Sequence, residues 1–462
     1  MGSAEQFAVR PERCTVHDPF APSGCPSAPI APRRPRERSE LRVLALAAVL
    51  GGGLLVLVSV ASAEPWSAAA RAVLPVEVTT YFTPQELARG HAYAQGGYWL
   101  FAAGLAVRSG ALLVLVFTPA SAALRTWALR RTRGRVTAAT ALYAAVVVVG
   151  LAVLSLPLRY YAGFVRGHIF HLSTQSRGAW FLEWGKALGL TLGAVVLVAC
   201  LLTALWRRAP ERWALWAWGA CGLTVFVFVA LAPLVLDPLF DPIRPLEDQA
   251  VRERVLTLAD RAGLHTDQVY VSEASRRTTA ENAYFTGLGP TKRVVLYDTL
   301  IQHNDPDAVA SVVAHELGHW RHGDVWKGVA LSLLGLAVCF WYARRVLVWA
   351  GRGRLHLTGP ADIAALPLVV LVVFGLDLVS LPLQTAISRS FERAADLSAL
   401  RLTRDPAAFI RAEVQLAQSD LADLAPPRLV AVLLYTHPPT VERIRMAEAF
   451  AARQTKDHRA SP

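Results

Sequence analysis

The chain has 462 residues, 54% of them apolar and only 18% charged, with a mean hydropathy of +0.36. That balance excludes an ordinary water-soluble enzyme and suits a chain that crosses a lipid bilayer several times. The net charge of +12 does not argue for nucleic acid, because the arginines gather in short connectors between apolar runs, where a membrane protein carries its cytoplasmic positive charge. Lysine occurs only at Lys186, Lys292, Lys327 and Lys456 while arginine abounds, the bias of a GC-rich genome, so the expected location is a bacterial cell membrane.

Residues 1–41 are rich in Pro, Arg and Ser without apolar periodicity and read as a disordered basic tail. The apolar run 43–63 ends in "ASAEP", which resembles a signal-peptidase site. The basic region before it is longer than a signal peptide's, so an uncleaved first span is expected. Further runs long enough to cross about 30 Å of hydrocarbon lie at 98–117, 136–156, 187–205, 213–235, 329–350 and 363–383. The expected architecture is therefore mainly α, a polytopic membrane protein with about seven transmembrane helices.

Five spans would occupy 42–236 and two more 328–384. Two polar stretches, 237–327 and 385–462, remain. Two crossings separate them, so both emerge on one membrane face and can form a single catalytic unit. In the first stretch "QVYVSEA", "NAYF" and "KRVVLYDTLI" read as strands of a small β-sheet. "DPDAVASVVAHELGHWRHG" starts with Asp-Pro and runs on without a breaker, as a helix does; "SRSFERAADLSALRL" is a second helical pattern. Cys200, Cys221 and Cys339 sit inside apolar runs, and no C-x-x-C occurs, so a metal site would use histidine and carboxylate.

The chemistry concentrates in His315-Glu316-Leu317-Gly318-His319. On a helix, residues four apart lie about 40° apart around the axis and about 6 Å apart along it. His315 and His319 can thus face a single ion, with Glu316 about 100° round from His315, where a general base belongs. The apolar neighbours Val312, Val313 and Ala314 put this ionisable cluster in a partly buried setting, costly unless it is paired or liganded. The extended H-E-x-x-H-x-x-G-x-x-H pattern is absent, since His322 stands at the glycine position and Val325 at the last histidine. "ERAAD" offers Glu392 as a third ligand and Asp396, one turn on, as acceptor for a ligand histidine's free N–H. The same pair also suits a solvated helix face.

Taken with "YFTPQELARG", "YYAGFVRGHIFHLSTQS", "LVLDPLFDPIRPL", "ENAYFTGLGPTKRVVLYDTLI", "SRSFERAADLSAL" and "THPPTVERI", in that order, the chain resembles the M48 family of membrane-embedded zinc metalloproteases, and within it the CAAX prenyl protease branch. The resemblance implies a gluzincin-type unit with Zn2+ held by His315, His319 and Glu392, Glu316 as the base, and Asp396 orienting a ligand histidine. It further implies Asn282 on an edge strand that pairs with an extended substrate, and His437 with Arg443 stabilising the oxyanion. The expected partners are a peptide or membrane-protein substrate in extended conformation and the lipid bilayer, with no nucleic acid. Where the eukaryotic branch reads "HSNAYF", this chain has "AENAYF", with Ala280 and Glu281, which points to a different substrate preference. Charge bias places the catalytic unit outside the cell, whereas likeness to the eukaryotic branch places it towards the cytosol.

Two rival readings bear on the same residues. A site-2-type intramembrane protease would carry an Asp-Gly in a later span, whereas Asp377 is followed by Leu378. A non-enzymatic membrane protein with a structural zinc site would fill all four metal positions with side chains.

Overall fold

The computed structural model describes residues 76–240, 242–287, 292–351, 355–359 and 361–460, with side chains over 79–229, 242–287, 292–351, 355–359 and 361–456. The basic tail and the first expected span fall outside these residues. After a short helix, Val76–Tyr81, the chain forms α1 (Pro84–Phe117), α2 (Ala120–Arg131), α3 (Val136–Tyr160), α4 (Arg177–Arg208) and α5 (Trp213–Phe240). Every expected run among the described residues of this half is helical, and each helix overshoots its run at one or both ends. The α1 start is set by a reciprocal cap, in which Glu86 N–H donates to Thr83 Oγ1 while Thr83 N–H donates to the Glu86 carboxylate. Beyond the proline Pro157 in its last turn, α3 widens into a π-helical segment, Tyr161–Val165, and a final turn, Arg166–Ile169.

The polar region opens with β1 (Ile243–Pro245), α6 (Gln249–Arg261), β2 (Val269–Ser272), β3 (Ala283–Thr286), β4 (Arg293–Tyr297) and α7 (Asp298–His303). The strands form one sheet in the order β1-β2-β4-β3; β2 and β4 are parallel, and the outer pairs are antiparallel. Two corrections to the sequence expectation follow. The three-residue β1 was not foreseen. The run "KRVVLYDTLI" is a strand only as far as Tyr297, because the Asp298 carboxylate accepts the Thr299 and Ser275 N–H groups and turns the chain into α7.

Next come α8 (Pro306–His322), α9 (Asp324–Ala350), α10 (Leu366–Thr403), α11 (Pro406–Ser419), α12 (Arg428–Leu434) and α13 (Thr440–Ala460). Among the described residues five helical stretches are long and apolar enough to cross a membrane: Pro84–Phe117, Val136–Ile169, Arg177–Arg208, Asp324–Ala350 and Ile363–Thr403. The apolar α5 adds a shorter stretch, Trp213–Val229. The 17-residue α8 helix is not among them.

Helix α8 has three partners. Val309, Val313 and Leu317, spaced four apart, are at most 1% exposed and pack on the sheet and α6. Ala314 joins Ala399, Leu400, Phe409 and Ala447 from α10, α11 and α13. At Gly318 the helix meets α10 so closely that a Cβ there would lie 3.0 Å from both Cα and O of Ala395. Asp305 caps the helix by accepting the Asp307 and Ala308 N–H groups, and Gly323, at φ +65°, ends it in the left-handed conformation glycine adopts without strain.

Because backbone atoms cannot give way as a flexible side chain would, Gly318→Ala is expected to cost about 1–3 kcal/mol. Thermal or chemical unfolding of the purified protein measures this, and an unchanged midpoint would show that α8 and α10 can part freely.

Candidate metal centre

The close α8–α10 contact brings together residues distant in sequence. His315 Nε2 and His319 Nε2 lie 3.1 Å apart. Glu392 on α10 places Oε2 3.3 Å from His315 Nε2 and Oε1 3.5 Å from His319 Nε2. One donor atom from each of the three lies within 4.8 Å of the other two, a group able to hold a metal ion.

Two carboxylates decide which imidazole nitrogen is free. His315 Nδ1 is 2.8 Å from Asp396 Oδ1, and His319 Nδ1 is 3.0 Å from Asp324 Oδ2. An ionised carboxylate can only accept, so each Nδ1 carries a proton and Nε2 is the nitrogen each ring turns inwards, its lone pair free for a metal once any proton there has left. Two Nε2 atoms at 3.1 Å, with the Glu392 carboxylate beside them, need a proton or a metal cation among them. Glu392 Oε2 is buried, with His315 Nε2 and His437 Nε2 each 3.3 Å away. Two imidazoles, one carboxylate and no thiolate form a donor set that suits a borderline divalent metal.

Each orienting acid has a cation behind it. Arg443 Nε donates to Asp396 Oδ2 at 2.9 Å, and the same guanidinium is 2.7 Å from Glu413 Oε2. Lys327 Nζ donates to Asp324 Oδ1 at 2.9 Å. Burial favours the neutral form of His315, but hydrogen bonds to Asp396 and Glu392 outweigh it and, with protein groups alone, raise the imidazole to about 10. Burial pushes the Glu316 carboxyl above the ordinary carboxylate range, against the pull of His315 and His319. Burial likewise raises Glu413 to about 7, with the Arg443 charge opposing.

The centre opens on a cavity of about 690 Å³ whose wall includes His315, Glu316, Asn282, His437 and Arg443. Asn282 is exposed, one residue before β3, and its carbonyl accepts the Tyr297 N–H. Strand β3 is an outer strand of the sheet. His437, with a side chain 61% exposed, reaches within 3.3 Å of Glu392 Oε2 through Nε2. Arg443 lines the same cavity, but its guanidinium is engaged by Asp396 and Glu413. Sequence reasoning missed Asp324 and Glu413. Asp324 had a local signal, since Gly323 turns the chain straight after the helix and leaves an acid five residues beyond His319; Glu413 had none. His303 bonds the buried Glu281, and His322 bonds Ser398. The Asp377 carboxylate is met by Gln384 of its own helix, not by a neighbouring one.

A helical membrane scaffold carrying this two-histidine, one-glutamate cluster beside an open cavity defines a metallopeptidase fold and site. Residues 245–451 match the model of peptidase family M48, and residues 67–242 match that of the CAAX prenyl protease N-terminal region, described as five membrane helices. The chain is 30% identical over 376 residues to the uncharacterized metalloprotease YhfN of Bacillus subtilis, covering 80% of this chain and 87% of that protein. It is 28% identical over 315 residues to CAAX prenyl protease 1 of Saccharomyces cerevisiae, covering 63% and 68%. The crystal structure of Ste24p from S. mikatae shares its fold, with a TM-score of 0.80 at 21% identity, over 90% of this chain and 100% of that one. The chain belongs to peptidase family M48 and is a membrane-embedded metallopeptidase.

Two outcomes test the centre. Because a metal must displace the proton that the raised His315 retains at neutral pH, metal uptake is expected to release a proton, with apparent affinity rising up to about tenfold per pH unit. Titration in weak buffer with a pH indicator reads both. Asp324→Ala is expected to weaken metal affinity by about 10–100-fold, measured by competition with a chelator, with helix content unchanged by circular dichroism.

Proposed function

We propose that the protein is a zinc-dependent endopeptidase in which His315, His319 and Glu392 hold the metal and Glu316 is the general base. The observation that carries this reading is the facing pair of Nε2 atoms, each ring fixed by a carboxylate on its far side. Zinc, when bound, polarises the scissile carbonyl and acidifies the attacking water. Glu316 takes the proton that water loses as the new C–O bond forms, then delivers it to the departing amine nitrogen as the C–N bond breaks. Partial burial suits it to both steps, since a carboxyl above the ordinary range gives its proton up less readily between them.

His437 donates towards the negative charge that develops on the carbonyl oxygen, from an exposed position on the cavity wall with its Nε2 beside Glu392. Arg443 acts at one remove, holding Asp396 so that the His315 ring stays in register. The substrate is an extended peptide presented at a membrane surface, laid along the outer edge of β3 with Asn282 at its start. The membrane is a bacterial cell membrane, in keeping with the GC-rich arginine bias of the sequence. Glu281, where the eukaryotic branch carries serine, is 4% exposed and held by His303, Asn304 and Gln415. It shapes the wall behind the substrate more than it contacts the peptide.

The decisive experiment is Glu316→Gln in the full-length protein. Bound zinc, measured by atomic emission, is expected to stay at the wild-type level while hydrolysis of a quenched fluorescent peptide falls at least about a hundredfold. Unchanged turnover would remove Glu316 from the reaction.

A further inference from the structure

His437 sits in the connection between α12 and α13, with no helix of its own to hold it. Its neighbour Tyr435 is held from two directions. The Arg389 guanidinium of α10 donates to the Tyr435 carbonyl at 2.7 Å and to the Ala431 carbonyl at 2.9 Å. The Tyr435 hydroxyl is 3.0 Å from that of Tyr98, which belongs to the membrane helix α1.

The Asp423 carboxylate, whose side chain is fully buried, lies 3.1 Å from Tyr98 Oη and 3.3 Å from His91 Nδ1. It can only accept, so Tyr98 spends its one proton on Asp423. The Tyr435 hydroxyl must then donate to Tyr98. The result is a polarised chain, Tyr435 to Tyr98 to Asp423, of the kind in which each bond strengthens the next.

Packing holds the two ends together. A Cβ at Gly90 of α1 would lie 2.4 Å from the Ala422 carbonyl oxygen, beside Asp423. Leu87 of α1 packs with Leu424 and Ile444. Gln418 donates to Glu86 at 2.8 Å. The peptidase segment from 417 to 424 is therefore seated on α1, and the tyrosine pair carries that seating to the residue two before His437.

We infer that Tyr98, acting through Tyr435, is a positioning residue for His437, so that a membrane-spanning helix sets the geometry of the catalytic cavity. This rests on the role assigned to His437 above. The inferred bond adds nothing to substrate affinity and acts on the chemical step.

The test uses full-length protein in lipid nanodiscs and a quenched fluorescent peptide. Tyr98→Phe and Tyr435→Phe each remove the shared hydroxyl bond and are expected to lower kcat about tenfold, with KM and zinc content unchanged. The double variant is expected to be no worse than either single one, and Tyr98→Phe is expected to add nothing in a His437→Gln background. Should Tyr98→Phe not fold, Tyr435→Phe breaks the same bond from the other side and carries the test. Loss of zinc, a change confined to KM, unchanged kcat in Tyr435→Phe, or full additivity with His437→Gln would overturn the inference. A silent His437→Gln would instead overturn the role of His437, leaving the metal-dependent reaction intact.

Discussion

Everything at the centre depends on how closely two helices approach. Glu392 is on α10 and the two histidines are on α8, and only the missing side chain of Gly318 lets the helices meet at Ala395. At an ordinary interaxial separation of 8–10 Å with side chains between, one carboxylate would struggle to reach both imidazoles. With glycine at the crossing, Glu392 lies within 3.5 Å of each. The glycine inside the histidine motif is thus as much a part of the candidate centre as its three polar side chains, although it supplies no ligand atom.

Around the centre, charge alternates outward. Each imidazole is backed by an acid, and each acid by a base: His315 by Asp396 and Arg443, His319 by Asp324 and Lys327. An acid alone would orient the ring, but it would also make that ring hold a proton more tightly against a metal. The guanidinium or ammonium behind it draws off part of the negative charge while keeping the geometry. Burial makes the arrangement interdependent, because a buried carboxylate that loses its cation is left with an uncompensated charge. The inner branch, with Asp396 fully buried, is more exposed to that cost than the outer branch, where the Lys327 side chain is about half exposed.

These features were unevenly legible in the sequence. The spans were readable because hydrocarbon demands a long apolar run, and the histidine pair because a helix puts residues i and i+4 on one face. Strand β1 was not, since three residues ending in proline carry no alternation, and its pairing with β2 comes from tertiary context. The end of β4 was misjudged because β-branched residues continue past it, while what bends the chain is a bond from Asp298 to the distant Ser275. Glu392 and Asp396 looked equally like a solvated face until likeness to a family singled them out. Glu413 had no local signal at all, because its partner Arg443 lies thirty residues on, across a turn that nothing nearby encodes. Local periodicity marks what a helix presents; it does not say what the helix is pressed against.

The membrane half and the peptidase half match separate family models that meet near residue 243, yet the structure does not divide there. Helix α10 runs for 38 residues without a break, from a membrane-spanning stretch through Arg389 to Glu392 and Asp396. At about 1.5 Å per residue that is a rod of about 57 Å, so Glu392 is fixed to the same helix as an apolar membrane-length stretch. On the other side, the connector after α3 bonds to the strand-like segment preceding β3, where Thr174 N–H donates to Arg277 O and Thr279 N–H to Leu172 O. The outer edge of the sheet is thereby braced by a loop of the membrane region. Glu392, the segment before β3 and the cavity wall are each tied to the membrane-helix region by a different element, so the peptidase region is completed by those helices and is not merely tethered to them.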